Sequence, residues 1–371
     1  MTRKCNAVTI LILQVTRIQI YSTDMTNLAP AASGTPADAP RPAPKRPIDQ
    51  AAALGVSEGV WLTAHQSDAR VIRLALPAAA IIEALPPLGT VMALTRNHAC
   101  VHEKDGAYAN IEINGGMGLV LNHEIDLRLF MGQWAHAFAV ETPLDDGAIR
   151  HSLQFFDKAG VAIHKIFARP QTDMAAWRDL VSRFAVEGPL QPILAEPIAP
   201  PAADRPDAEI DVEALRDGWW KLADVHDFFA LLRKQGVGRR QAMRLAGGPF
   251  SRAIPTDSLQ AILEQAVARD VPIMCFVGNN GCIQIHSGPI RRVVPMGPWL
   301  NILDPGFNLH LRADLIAEAY AVWKPQTDSA VHSIELFDKD GLLIAQFFGE
   351  RKPGQPELEG WKQIVEEVPA A

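Results

Sequence analysis

Two short segments hold the side chains best placed for chemistry. The first is Ala223-Asp-Val-His-Asp-Phe-Phe-Ala-Leu-Leu232. Asp224 is a suitable helix N-cap, Asp227 adds an acid to the first turn, and Gly236 is placed to end the helix. His226 then falls in that first turn, where the positive end of the helix dipole disfavours imidazolium and leaves a neutral ring able to ligate a metal such as iron. Phe229, three residues on, would lay a flat apolar surface along the same side. The plainer alternative is a histidine that only caps or packs. The second segment is Asn122-His-Glu-Ile-Asp-Leu-Arg-Leu-Phe130, which alternates as a strand does and puts Asp126, Arg128 and Phe130 on one face. A guanidinium beside an aromatic edge could meet a bound anionic ring, though a salt bridge between Asp126 and a basic neighbour explains the same residues.

Other chemistries lack their residues. There is no HExxH, no paired CxxC and no 2-His-1-carboxylate spacing, nor a GxSxG elbow, a phosphate loop or a dinucleotide fingerprint. Asn114-Gly-Gly-Met-Gly118 lies between strand-like runs and reads as a hairpin. Trp134, Trp219, Trp220, Trp299 and Trp323 read as core or interface residues. The four cysteines, Cys5, Cys100, Cys275 and Cys282, have neither metal spacing nor the density of a disulfide scaffold, which points to reduced thiols. With 35 basic against 42 acidic side chains, the net charge of -7 gives no general attraction to nucleic acid or to an anionic membrane surface.

These residues must be positioned by a duplicated framework. Arg96-Asn-His-Ala-Cys100 aligns with Gly278-Asn-Asn-Gly-Cys282 at an offset of 182, and Ala137-Phe-Ala-Val140 with Ala319-Tyr-Ala-Val322 at the same offset. After a one-residue slip, His151-Ser-Leu-Gln-Phe-Phe-Asp-Lys-Ala-Gly160 matches His332-Ser-Ile-Glu-Leu-Phe-Asp-Lys-Asp-Gly341. In the second copy His310 stands at the position of Arg128. Each copy closes on a tryptophan-led helix, Trp177 to Phe184 and Trp361 to Val368. Short apolar runs at Ala99 to Glu103, Gly118 to Leu121, Ser152 to Phe156 and Val161 to Phe167 predict antiparallel strands. Phe156 to Gly160 and Phe337 to Gly341 predict hairpin turns. Helices are predicted over Asp211 to Gln235, Ser258 to Arg269 and within Ala51 to Leu85. Helices grouped before hairpins mean an α+β fold.

The expected organisation is a disordered segment over 1–50, a first repeat over 51–187, a proline-rich linker over 188–209 and a second repeat over 210–371. Glu187 to Pro206 carries six prolines. The apolar run Ala7 to Val15, interrupted by Arg17, copies a signal peptide only in part, and residues 1–24 read as an upstream start-codon artefact ahead of Met25.

Arg96 to Glu103, Asp126 to Phe130, Asp224 to Phe229, Pro295 to Asn301 and Ala345 to Arg351 together resemble the haemin-degrading or haem-trafficking family of the HemS, HmuS and ChuS type, from about Ala51 to Val368. The resemblance implies two similar halves, each a large antiparallel sheet with helices, and haem b (iron protoporphyrin IX) in a cleft between them. It implies His226 as the proximal ligand of the haem iron, and Arg128 and Phe130 on the distal side with Arg128 catalytic if the ring is oxidised. Arg239, Lys324 and Arg351 would meet the propionates, and Phe229 the ring. His102 is a lesser alternative ligand. Trp323, Phe348 and Gly116 depart from the family's pattern at positions that bear on polar pocket contacts and on any second haem site. The implied activity is handling of imported haem for iron acquisition by ring degradation with iron release. The alternatives are a non-catalytic carrier delivering haem to a separate oxygenase or to storage, and a duplicated module that has lost haem. Partners on these readings are haem and an inner-membrane haem importer, a haem oxygenase or an electron donor, with no nucleic acid and no stable membrane association, in the cytoplasm.

Overall fold

The computed structural model describes residues 46–65, 69–198, 203–327, 329–351 and 355–371. The expectations for residues 1–45 lie outside the described residues. Helix α1 (Pro47–Ala53) already begins inside the segment expected to be disordered, and packs Ala51 beside Trp61 and Leu62. The first repeat continues with α2 (Glu58–Ala64), β1 (Arg70–Arg73), α3 (Ala78–Glu83), β2 (Thr90–Arg96), β3 (Cys100–Ala107), β4 (Ile111–Asn114), β5 (Met117–Leu121), β6 (Asp126–Phe130), β7 (His136–Pro143), β8 (Ile149–Phe156), β9 (Ala162–Ala168) and α4 (Met174–Phe184). The second runs through α5 (Val212–Trp220), α6 (Phe228–Gln235), α7 (Arg239–Ala246), β10 (Ser251–Ile254), α8 (Ser258–Ala268), β11 (Ile273–Gly278), β12 (Cys282–Gly288), β13 (Val293–Met296), β14 (Trp299–Asp304), β15 (Phe307–Arg312), β16 (Glu318–Gln326), β17 (Ser329–Phe337), β18 (Leu343–Gly349) and α9 (Glu359–Glu367). The fold is α+β, as expected.

The two repeats exchange strands. One nine-stranded antiparallel sheet has the order β1-β7-β8-β9-β2-β3-β15-β14-β13, the other β10-β16-β17-β18-β11-β12-β6-β5-β4. Each sheet therefore takes six strands from one repeat and three from the other, joined by the ladders β3–β15 and β6–β12. Sequence repeats and sheets are not the same units. The turn motifs shared by both copies hold this junction. Asn97 Nδ2 donates to the carbonyls of Gly278 (3.2 Å) and Ile344 (2.8 Å), and Asn279 Nδ2 donates to those of Arg96 (2.9 Å) and Ile163 (2.8 Å). In the hairpins predicted at Phe156 and Phe337, Asp157 and Asp338 accept amide hydrogens of their own turns, while Gly160 and Gly341 take φ of 76° and 79°. The same aspartates reach across: Asn280 donates to Asp157 at 2.9 Å, and His98 pairs with Asp338 at 2.9 Å.

The helix predicted over Asp211 to Gln235 is broken. Helix α5 ends at Trp220, and a 3-10 turn, Val225–Asp227, precedes α6. Gly236, at φ 60°, ends α6 as expected. The stretch Ala51 to Leu85 divides into short helices around strand β1, because Gly55, Pro77 and Pro86 interrupt any longer helix. The proline-rich segment is strapped down where it is described. Ile193 is buried beside Trp61, Phe138 and Phe156, and its amide donates to Thr63 Oγ1. Among the described residues, no helix is long and apolar enough to cross a membrane.

Candidate functional site

Strand register puts the singled-out residues on one face of the second sheet. Asp126 lies opposite Ile285, Ile285 opposite Phe276, Phe276 opposite Gln346, Gln346 opposite Glu335 and Glu335 opposite Tyr320, a row across six strands. Side chains in such a row share a face, and residues two apart along each strand join them. Arg128 and Phe130 are thus on the same side as Ile283, Met274, Phe348 and Lys324. The middle of this face is a half-buried apolar trough floored by Phe276 and Phe348, whose rings are 5.1 Å apart. Helices α5 to α7 cover the β16–β17 end, where Trp219 and Phe228 share a core with Tyr320, Val322 and Phe337.

His226 is carried to that end by the 3-10 turn, which Thr327 ties to the end of β16 through a 3.0 Å bond to the Ala223 carbonyl. Asp224 caps the turn, accepting the His226 amide hydrogen at 2.8 Å. The same carboxylate oxygen faces His226 Nδ1. A carboxylate only accepts, so in the neutral ring the proton resides on Nδ1 and Nε2 keeps its lone pair, with no hydrogen bond to Nε2 among the described residues. The side chain is 36% exposed, so a ligand can reach it. A carboxylate behind an imidazole is the usual outer support of a metal-ligating histidine. His226 thus lies just ahead of α6 and outside its first turn, and the acceptor on Nδ1 fixes its orientation.

Arg239 and Lys324 are brought together, but on a carboxylate of the protein. Glu335 is fully buried and accepts from Arg239 Nε (2.7 Å) and Nη2 (2.8 Å) and from Lys324 Nζ (2.7 Å). Both cations also flank the Phe228 ring, at 5.4 and 4.8 Å. Burial would raise the Glu335 carboxyl, but Arg239 and Lys324 hold it well below the usual range. Burial pushes the Lys324 ammonium down to about 8, against the pull of Glu335. Two cations and one anion leave one net positive charge at this end of the trough. Arg351 donates to Gln326 at 2.8 Å and lies within electrostatic reach of Asp224, beside the histidine turn. Phe229 is half-buried with the Arg233 guanidinium over its ring, so it is Phe228 that packs onto the sheet. At the far side Arg128, 13% exposed, is paired with Asp126, the salt bridge weighed from sequence. Burial raises the Asp126 carboxyl against the pull of Arg128. Five strand spacings separate β16 from β6, about 24 Å along the sheet.

Glu335 and Gln346 went unnoticed in the sequence. Glu335 had a signal: a lone acid inside the apolar run Ser333 to Phe337 must find a buried partner. Gln346 is visible only through register. His102 is fully buried between the sheets, 5.0 Å from the Phe307 ring, and burial holds it neutral, so it is out of reach of any ligand in the trough. His310, the counterpart of Arg128, lies in the first sheet with Nδ1 2.7 Å from Asn301 Oδ1. A cavity of about 590 Å³ lies at the β10 edge of the second sheet, beside Trp323 and His332 on the opposite face, and of the trough-end residues named above it includes Val322 alone.

Fold and face together define a duplicated, strand-exchanged α+β protein offering one supported imidazole, an aromatic floor and cations at both ends. That set suits a flat apolar ligand that bears a metal and has acidic edge groups. The sequence model of the haemin-degrading HemS.ChuX domain matches residues 55–184 and 236–368. The chain is 41% identical over 322 residues to the hemin transport protein HmuS of Yersinia pestis, spanning 85% of this chain and 91% of that protein. The crystal structure of holo-PhuS, a heme-binding protein from Pseudomonas aeruginosa, matches with a TM-score of 0.84 and 46% identity over 88% of this chain and 94% of that one. That of ChuS, an E. coli heme oxygenase, matches with a TM-score of 0.78 and 37% identity over 86% of this chain and 95% of that one. The chain belongs to the haemin-degrading HemS.ChuX domain family.

Proposed function

We propose that this chain binds haem b in the trough of its second sheet, with His226 Nε2 as the proximal ligand and Arg128 and Phe130 on the far side. The observation that carries this reading is the Asp224–His226 pair, which turns Nδ1 to the carboxylate and leaves Nε2 accessible and without a hydrogen bond among the described residues, beside an aromatic floor. Arg351 and the net positive triad of Arg239, Lys324 and Glu335 receive the acidic edge. Guanidinium forks suit carboxylates there, and Arg239 keeps one Nη free of Glu335.

The role best supported is acceptance and hand-over of haem in iron acquisition, because the trough is covered by helices at one end only and its ligand is partly exposed. An importer at the inner membrane would be the source and a haem oxygenase or a store the recipient, in the cytoplasm. Ring degradation with iron release is the second reading, favoured by Arg128. Its guanidinium is a hydrogen-bond donor on the distal side once it leaves Asp126. Haem supplies a redox-active iron and, on this second reading, is itself the substrate. The test is an absorption titration of the haem-free chain with ferric haem, followed by a reductant in air. A tight first equivalent that stays intact and transfers to a second protein is expected, decay to a ring-opened product with iron release supports degradation, and no saturable shift contradicts both.

A further inference from the structure

The cavity of about 590 Å³ opens beside α9 at the end of the second sheet formed by β10, β16 and β17. Trp323 and His332 pair across β16–β17, one position out of step with Lys324 and three with Glu335, so they point away from the trough. His332 lines this cavity with the geometry of His226. Its Nδ1 is 2.6 Å from Glu357 Oε2, and Glu357 Oε1 accepts the His332 amide hydrogen at 2.7 Å. The side chains are 13% and 7% exposed. In the neutral ring the proton is therefore on Nδ1, and Nε2 has no hydrogen bond among the described residues. The walls are aromatic: Trp220 and Trp323 are 5.5 Å apart and tilted by 40°. At the rim Arg252 is committed to the carbonyls of Val365 and Val368, while among the described residues Lys362 has only Glu359, at 3.9 Å.

This donor set selects its ligand. Among the described residues no three metal-binding side chains come together, so a bare ion would lack partners. One imidazole lone pair suffices for a metal already held by an organic frame, and indole walls suit a flat aromatic frame. We propose that the His332 cavity is a second metalloporphyrin site, with His332 Nε2 as axial ligand, Trp220 and Trp323 against the ring and Lys362 near its acidic edge. The site belongs to one copy of the duplication. In the first repeat His151 faces Glu141, where the second has Trp323 facing His332. The ligand class is that of the proposed function, but none of the residues proposed to touch haem in the trough lines this cavity, so either site can fail alone.

The test titrates the full chain and its His332→Ala, His226→Ala and Trp220→Ala variants with ferric haem, following the Soret band and tryptophan quenching. The wild-type chain is expected to take two saturable equivalents, and His332→Ala and His226→Ala one each. Trp220 is 60% exposed, so its removal should spare the fold while weakening the second equivalent by about tenfold, as loss of an aromatic contact does. Saturation of the wild type at one equivalent overturns the proposal, as does a second equivalent indifferent to both His332→Ala and Trp220→Ala, which would be adventitious haem. If His332→Ala does not fold, Trp220→Ala decides alone. A His226→Ala chain that still takes two equivalents would sink the trough reading and leave this one standing.

Discussion

Asp224 does two things for one histidine: it caps the turn through the His226 amide and fixes the ring tautomer through Nδ1. Asp224→Ala should therefore weaken haem binding by about 10- to 100-fold while leaving the far-ultraviolet circular dichroism unchanged, the range typical of an outer carboxylate behind a metal-ligating histidine. A full loss of fold would instead make Asp224 structural. The charge on Lys324 gives a second expectation. Burial brings its ammonium down to about 8 from an ordinary 10.5, so its positive charge is present at pH 7 and lost as pH rises through 8. Glu335, held well below the usual range, stays ionised, and a guanidinium keeps its charge throughout this range, so the triad falls from one net positive charge to none. Binding of metal-free protoporphyrin IX, which has the carboxylates but no iron, should weaken between pH 7 and 9, and Lys324→Met should abolish that dependence. Equal pH profiles for the two proteins would remove Lys324 from the acidic-edge site. What was legible at this scale was residue type and spacing, enough to single out His226, Arg128 and Phe130. The partner of each cation was not, because Glu335 lies 96 residues from Arg239 and 11 from Lys324, and only folding brings them together.

Among the elements, the hairpins at Asp157 and Asp338 and the tryptophan-led helices α4 and α9 were readable because each is specified locally, by an aspartate and a glycine or by one apolar stripe. The break between α5 and α6 was not, since Lys221 to Asp224 contains no proline or glycine. The turn is set by Asp224 and by the bond from Thr327 to Ala223. The repeated Asn97 and Asn279 were visible only as a matching motif, yet they pin the two repeats together. Each makes two hydrogen bonds to backbone carbonyls across the junction, at about 1 kcal/mol apiece, and leaving those carbonyls unpaired adds to the loss. Asn97→Ala or Asn279→Ala should lower stability by about 2–4 kcal/mol in urea unfolding. A change below about 0.5 kcal/mol would mean the junction does not depend on them.

For the whole molecule, the duplication was legible in its near-constant offset, but the exchange of β4–β6 for β13–β15 was not. Those strands have the same pattern whichever sheet takes them, and pairing of β3 with β15 joins residues some two hundred positions apart. The exchange makes a prediction about isolated halves. Residues 46–198 alone would leave the β3 edge and the β6 edge without partners, and the equivalence of β6 with β15 lets two copies satisfy each other. This fragment should form a homodimer in sedimentation velocity, whereas a folded monomer would show that the exchanged strands are dispensable.

The central claim is that His226 holds the metal of a bound haem in the trough. Titrating the wild-type chain and His226→Ala with ferric haem under identical conditions tests it most directly. The account predicts that the wild type gives a tight first equivalent with the spectrum of an imidazole-ligated haem, and that the variant loses that equivalent. An unchanged affinity and spectrum in His226→Ala would contradict it.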